Sequence, residues 1–233
     1  MAVKAAIFDV FGTVVDWRSG VAAEVAAALA AKAEAHDAGA FADAWRGEYQ
    51  PAMERIRIGA RGYVPLDDLH RENLDIVLEA RGLSGLVDEA ERAALNHAWE
   101  KLPPWPDSVA GVAAIRALMP VATCSNGSIA LMVALARFAG LDWDAILGAE
   151  IAEGYKPEPK VYLRAAAALR LDPAEVLMVA AHNSDLAAAR AAGLKTAFIP
   201  RPDEKGPGLG ETRAEAAWDF VADDLTDLAR RLG

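Results

Sequence analysis

The segment Ala6-Ile7-Phe8-Asp9-Val10-Phe11-Gly12-Thr13 constrains this chain most: a run suited to a buried strand ends in one aspartate, then breaks into Gly-Thr. A carboxylate at the C-terminal end of a parallel strand stands in the crevice where α/β sheets bind ligands. Packing gives no reason for it, because an unpaired buried carboxylate is costly. Asp9 is therefore a candidate nucleophile.

Further apolar runs predict strands over 119–124, 145–151, 175–181, 196–200 and 220–222, after the first over 4–10. Helical patterns lie between them. Ser128 is placed to cap a helix running to Phe138 with Gly140 as its stop. Pro159 opens one running to Leu169, and Asp185 begins an Ala-rich run to Ala192 that Gly193 closes. Strands alternating with helices of this length imply an α/β fold with a doubly wound parallel sheet.

Residues 17–102 break that rhythm. Ser19 can cap a helix over 21–35, Asp67 one over 69–81, and Asp88 one over 89–101. Phe41, Trp45, Tyr49 and Met53 recur every four residues and share one helical stripe, which Pro51 should kink. Pro103-Pro104-Trp105-Pro106 ends the section stiffly. The pattern reads as a helical lid over 17–102, inserted into a core formed by 1–16 and 103–233. Residues 201–213, rich in Pro, Gly and charge, read as a solvent loop. No internal repeat is visible.

Charge and length narrow the class. With 233 residues and a net charge of −10, the chain is an unsuitable general nucleic-acid binder but can still take a small anion. A single cysteine, Cys124, leaves no internal disulfide and fits a reducing cytoplasm. No signal-peptide pattern opens the chain, and no run reaches the ~20 apolar residues of a membrane span. The expectation is a soluble cytoplasmic protein.

Four polar pieces end on predicted strand tips. They are Asp9 with Gly12-Thr13; Thr123-Cys124-Ser125-Asn126-Gly127-Ser128; Gly154-Tyr155-Lys156-Pro157; and Val179-Ala180-Ala181-His182-Asn183-Ser184-Asp185. The second presents hydroxyls, an amide and backbone N–H groups to an anion. This ordered set resembles the haloacid dehalogenase superfamily over nearly the whole chain. Members place a nucleophilic Asp, a Ser or Thr, a Lys and a terminal acid on successive strand tips. The resemblance implies a core sheet in the order 5-4-1-2-3.

Charge distinguishes the branches. Phosphatases of the superfamily use Mg²⁺ and a second aspartate two residues after the first, where this chain has Phe11. Their Gly-Asp pair in the fourth motif is Ala180-Ala181 here, so a likely metal ligand is missing. What remains resembles the L-2-haloacid dehalogenase (type II) branch, whose chemistry needs no metal or other cofactor. The resemblance implies halide removal from a short 2-haloalkanoic acid, such as an L-2-haloacid or haloacetate, through an aspartyl ester on Asp9.

In that resemblance Lys156 keeps Asp9 ionised, Asp185 pairs with Lys156 and positions the hydrolytic water, and Thr13 and Ser125 orient carboxylates. Arg46 and Asn126 cradle the halide, while Val10, Phe11 and Trp45 join the substrate pocket and His182 positions water or halide. His182 and Ala180 stand where some members have asparagine and serine, and Ser184 stands where a bulky aromatic is common. Tyr162 matches a tyrosine that follows the lysine, with packing as its other reading. His36, His70 and His97 lack ligand spacing and receive no role, and Glu34, Glu48 and Glu54 read as solvated. The expected partner is a halogenated carboxylate, without nucleic acid or membrane, and the lid's apolar surface fits a homodimer. Two alternatives stay open: a phosphatase holding Mg²⁺ by an unusual ligand set, and a non-catalytic member whose lid binds a partner.

Overall fold

The computed structural model describes residues 2–30, 32 and 36–233. Its core is a parallel five-stranded sheet: β1 (Ala5–Phe8), β2 (Val121–Thr123), β3 (Val176–Ala180), β4 (Lys195–Phe198) and β5 (Phe220–Val221), in the order β2-β1-β3-β4-β5. β1 is central, with Ile7 opposite Ala122 on one side and Met178 on the other. All four of its residues are buried. Ala6 and Phe8 point into one apolar cluster and Ile7 into another, so both faces are covered and the strand reads as unbroken apolar sequence.

Helices cover the two faces. α6 (Ser108–Arg116), α7 (Ile129–Ala139) and α11 (Leu225–Leu232) contribute to the cluster of Phe8. α9 (Pro159–Ala168) and α10 (Asn183–Ala191) contribute to that of Ile7, and the short α8 (Ala149–Ala152) precedes them. α7 starts and stops as expected: Ser128 accepts from Leu131 N, and Gly140 takes the left-handed conformation at φ +68°. Asp185 is the third residue of α10, whose N-cap is His182, so it does not begin the helix.

The expected strand over 145–151 is absent. Ala145 and Gly148 form isolated bridges to Ala122 and Ser125, and α8 then takes over. Backbone bonds persist from Thr123 N to Ala145 O and from Ser125 N to Leu147 O, but side chains interrupt the ladder between them. Val121 N donates to Asp144 Oδ2, and Thr123 Oγ1 both donates to Leu147 O and accepts from Leu147 N. With this bridged segment beside β2, the order of the first five predicted segments, 5-4-1-2-3, is observed.

Between β1 and β2 the chain is helical: α1 (Trp17–Leu29), α2 (Ala38–Gly47), α3 (Tyr49–Arg57), α4 (Leu66–Ala80), α5 (Glu89–Asn96) and a 3-10 turn over His97–Glu100. Asp16, not Ser19, caps α1, accepting from Ser19 N. The far end of the expected 21–35 helix, and Glu34, fall partly on residues outside those described. α4 starts at Leu66 after Pro65, so Asp67 lies in its first turn rather than at its cap. Asp88 caps α5 in a capping box with Glu91.

The expected kink at Pro51 is a full break at Glu48. A proline ring clashes with the carbonyl four residues earlier, so the chain restarts a helix in whose first turn Pro51 is tolerated. The stripe of Phe41, Trp45, Tyr49 and Met53 stays buried across the break. No helix is long and apolar enough to cross a membrane among the described residues.

Candidate active site

β1 delivers Asp9 where the ladder runs out. Asp9 N still donates to Val179 O at 3.0 Å and Cys124 N to Phe8 O at 2.7 Å, after which the chain turns at Gly12. Only 7% of Asp9 is exposed. Lys156 Nζ donates to its Oδ1 at 2.8 Å, and Thr13 Oγ1 donates to Oδ2 at 2.7 Å. Thr13 Oγ1 in turn accepts from Ala181 N at 2.9 Å, which ties the first motif to the fourth.

Lys156 is bound on both sides, because its Nζ also reaches Asp185 Oδ2 at 2.5 Å. Tyr162 OH donates to the other oxygen of Asp185 at 2.5 Å. Burial alone pushes the Asp9 carboxyl up, but Lys156 and His182 outweigh it and hold Asp9 well below the usual carboxylate range. Burial likewise pulls Lys156 down, and the charges of Asp185 and Asp9 overturn that and raise it. The nucleophile candidate is thus ionised and fixed in orientation.

His182 lies between two carboxylates. Its Nδ1 is 3.1 Å from Asp9 Oδ2 and its Nε2 is 2.9 Å from Glu204 Oε2. Burial lowers its affinity for a proton, but the hydrogen bonds and charges of Asp9 and Glu204 push it up to about 10. Glu204 is 2% exposed and also accepts from Trp17 Nε1 at 3.0 Å. Against burial, these partners and Arg46 keep it below the usual carboxylate range.

Residues 201–213 form a largely exposed loop, as read, but Arg201 and Glu204 turn inward from it. Arg201, 7% exposed, anchors the segment by donating to Thr13 O at 2.8 Å and to both oxygens of Asp107 at 2.7 and 2.8 Å. Pro, Gly and charge mark the loop but not its inward side chains, and the buried ion pair of Arg201 follows from contacts some 90 to 190 residues apart in sequence. Gly12 makes room for Glu204. It sits at φ +85°, and a Cβ there would lie 2.2 Å from Glu204 Oε1. Gly148 does the same for the second motif, where a Cβ would meet Ser125 O at 2.0 Å.

Asp9, Lys156, Asp185 and His182 share a cleft of about 1040 Å³ with Phe11 and Glu204. The helical segment supplies Arg46 and Tyr49, and the second motif supplies Asn126. Asn126 is held on both sides: its Oδ1 accepts from Lys156 N at 2.8 Å and its Nδ2 donates to Tyr49 OH at 3.0 Å. The Arg46 guanidinium lies over the Tyr49 ring at 3.8 Å.

Four residues of the predicted site do not line the cleft. Thr13 acts through Asp9. Ser125 is fully buried and its Oγ accepts from Gly127 N at 3.1 Å, shaping the turn rather than touching a carboxylate. Val10 and Trp45 are core residues at 1% and 0% exposure. Trp45 is drawn inward because its indole N–H donates to His70 O at 2.9 Å. Cys124 is buried, and burial pushes its thiol up to about 12, so it is not a nucleophile.

Tyr49, Glu204 and Trp17 belong to the site and were missed. The four-residue stripe assigned Tyr49 to packing, and no local signal marks the other two.

A family model for haloacid dehalogenase-like hydrolases matches residues 3–193. The (S)-2-haloacid dehalogenase of Xanthobacter autotrophicus is 30% identical, over 98% of this chain and 94% of its own length. A solved defluorinating L-2-haloacid dehalogenase is 50% identical with a TM-score of 0.96, covering 99% of this chain and 95% of its own. The L-2-haloacid dehalogenase from X. autotrophicus with chloropropionic acid covalently bound is 28% identical with a TM-score of 0.81, covering 98% and 97%. Strand-tip motifs, sheet order and these matches agree, and the chain belongs to the haloacid dehalogenase-like hydrolases.

Proposed function

We propose that this chain is a hydrolytic dehalogenase of short 2-haloalkanoic acids, L-2-haloacids or haloacetate, acting through an ester on Asp9 without a metal. The observation that carries the reading is the buried, ionised Asp9 facing a cleft beside Lys156, on a strand followed by Phe11 instead of a second acid. Its likeness over nearly full length to proteins named for this activity supports it, one of them with chloropropionic acid covalently bound.

An oxygen of Asp9 attacks the halogen-bearing carbon in line. The new C–O bond forms as the carbon–halogen bond breaks, its electron pair leaving with halide and the carbon inverting. Lys156 and Thr13 hold the carboxylate in place for this attack. Arg46 and Asn126 meet the halide, backbone N–H groups near Ser125 meet the substrate carboxylate, and Phe11 excludes water. Val10 and Trp45 support this pocket from behind.

Water then attacks the ester carbonyl of Asp9. The bond between that carbon and the substrate oxygen breaks, giving the 2-hydroxy acid and restoring Asp9, with one proton released to solvent. Esterification removes the charge of Asp9, one of the two anions that keep His182 protonated. His182 can then shed its proton and, still bonded to Glu204, take one from the water, with Asp185 positioning it.

A divalent ion suits this donor set poorly. It needs several oxygen ligands, whereas Asp9 here is flanked by an ammonium and a histidine, with Ala181 where another acid would serve. The same reading makes residues 17–102 a lid over a core of 1–16 and 103–233, in a cytoplasmic enzyme that pairs as a homodimer.

The test is halide release from chloroacetate, fluoroacetate and each enantiomer of 2-chloropropionate in excess EDTA. Release that Asp9→Asn abolishes is expected. No release, with phosphate-ester hydrolysis on adding Mg²⁺, would replace this reading by the phosphatase one.

A further inference from the structure

Behind Phe11 and Tyr49, outside the cleft lining, lies a group of buried polar side chains that the reaction above does not use. His70 and Asn73, three residues apart on α4, are 1% and 0% exposed, and Trp99 is 0% exposed. Both ring nitrogens of His70, both amide atoms of Asn73 and the indole nitrogen of Trp99 have no hydrogen-bond partner. The same holds for Nη1 of Arg46. Buried polar groups are ordinarily satisfied, so such a cluster demands an explanation, and an anion binding there would supply one.

The group is compact. His70 stacks on Trp99 with ring centroids 4.1 Å apart, and lies 6.4 Å from Phe11 and 6.1 Å from Tyr49. The Arg46 guanidinium lies 3.8 Å from the centroid of Tyr49 and 6.0 Å from that of Phe11. Arg46 and His70 therefore share the same two aromatic neighbours. Burial, and then the charge of Arg46, hold His70 well below the usual histidine range, leaving a neutral ring with one N–H and one lone pair.

A cation surrounded by N–H donors and aromatic rings suits an anion. In-line attack by Asp9, on the sheet, expels the halide away from the sheet, toward the helical wall that carries Arg46. We propose that His70, together with Arg46, forms the inner wall receiving the departing halide, and that its N–H sets the range of halogens turned over. Fluoride, the smallest halide and the strongest hydrogen-bond acceptor, gains most from an added donor. This inference rests on the haloacid reading of the cleft.

The experiment compares halide release from fluoroacetate, chloroacetate and bromoacetate by the wild type, His70→Phe and His70→Asn. His70→Phe keeps the stack on Trp99 and removes both ring nitrogens, while His70→Asn keeps an N–H donor. In His70→Phe the loss should grow as the halogen becomes lighter, by roughly tenfold between neighbouring halogens, and His70→Asn should recover most of it. Bromide should also quench the wild-type tryptophan fluorescence saturably, because Trp99 stacks on His70, and more weakly in His70→Phe.

Equal losses for every halogen, or saturable quenching that His70→Phe leaves unchanged, would overturn the assignment of His70. If His70→Phe fails to fold, His70→Leu, which also lacks a donor, takes its place against His70→Asn, and quenching that does not saturate in the wild type overturns the proposal alone. Absence of halide release by the wild type from any of the acids instead removes the haloacid reading itself.

Discussion

The strand tips and the helical wall facing them satisfy their polar groups in opposite ways. At the tips, Asp9, Lys156, Asp185, His182 and Glu204 are each bonded to another member of the group. In contrast, every buried side-chain polar atom without a hydrogen-bond partner among the described residues belongs to residues 46–99. A charged cluster that satisfies itself is ordered before substrate arrives. A wall whose polar atoms are unpaired is, on the proposed reading, completed by the leaving halide. On that reading the difference divides the labour, with the sheet fixing the nucleophile and the helices receiving what leaves.

The strongest way to break this contrast is Lys156→Ala, which leaves Asp185 buried without its cation and Asp9 with His182 alone. Removing one partner of a buried pair costs about 3–5 kcal/mol, and turnover should be lost as well. The deficit should shrink as pH falls, because the stranded carboxylates then take up protons. Urea unfolding at several pH values checks this. A deficit independent of pH would mean that Lys156 serves packing alone.

His182→Asn sharpens the comparison through pH. The folded protein raises His182 from 6.5 to about 10, so the stability it contributes is fully present below 6.5 and is lost as pH rises through about 10. The gap between wild type and variant should therefore narrow over that window, as followed by unfolding midpoints. A constant gap would remove the charged pairing with Asp9 and Glu204.

Gly12→Ala should cost about 1–2 kcal/mol from its left-handed backbone alone, and more from displacing Glu204. Because it moves the partner of His182, ester hydrolysis should slow more than halide displacement in single-turnover measurements. The smallest effect is expected from Asp88→Ala, which removes a capping box on α5 for about 1 kcal/mol and should leave turnover unchanged. A large loss of activity there would show that the helical wall is coupled to the chemistry more tightly than its separate packing suggests.

Much of the sheet side was legible. Asp9, Thr13, Lys156 and Asp185 each follow or precede a local pattern, an apolar run breaking into Gly, Pro or polar residues, and the fold brings all four within hydrogen-bonding reach of a neighbour in the set. The helical side was legible only as helix. Spacing placed Phe41, Trp45, Tyr49 and Met53 on one buried stripe, yet periodicity cannot tell that Tyr49 turns its hydroxyl to Asn126 while Trp45 turns its indole to His70. Single residues also misled: Asp67 and Ser19 have the chemistry of caps, but Pro65 and Asp16 stand at the true boundaries.

Sequence by itself determined the parallel α/β core, the helical interruption after the first strand and the strand-tip carboxylate. Those follow from short-range rules: apolar period, chain stiffness and the cost of a lone buried charge. Tertiary structure alone decided that Arg201 and Glu204 turn inward from the exposed loop over 201–213, that Glu204 clasps His182 across Gly12, and that His70 sits unpartnered behind Phe11. The reason is that burial and pairing of a polar side chain depend on groups distant along the chain, and local patterning carries no record of them.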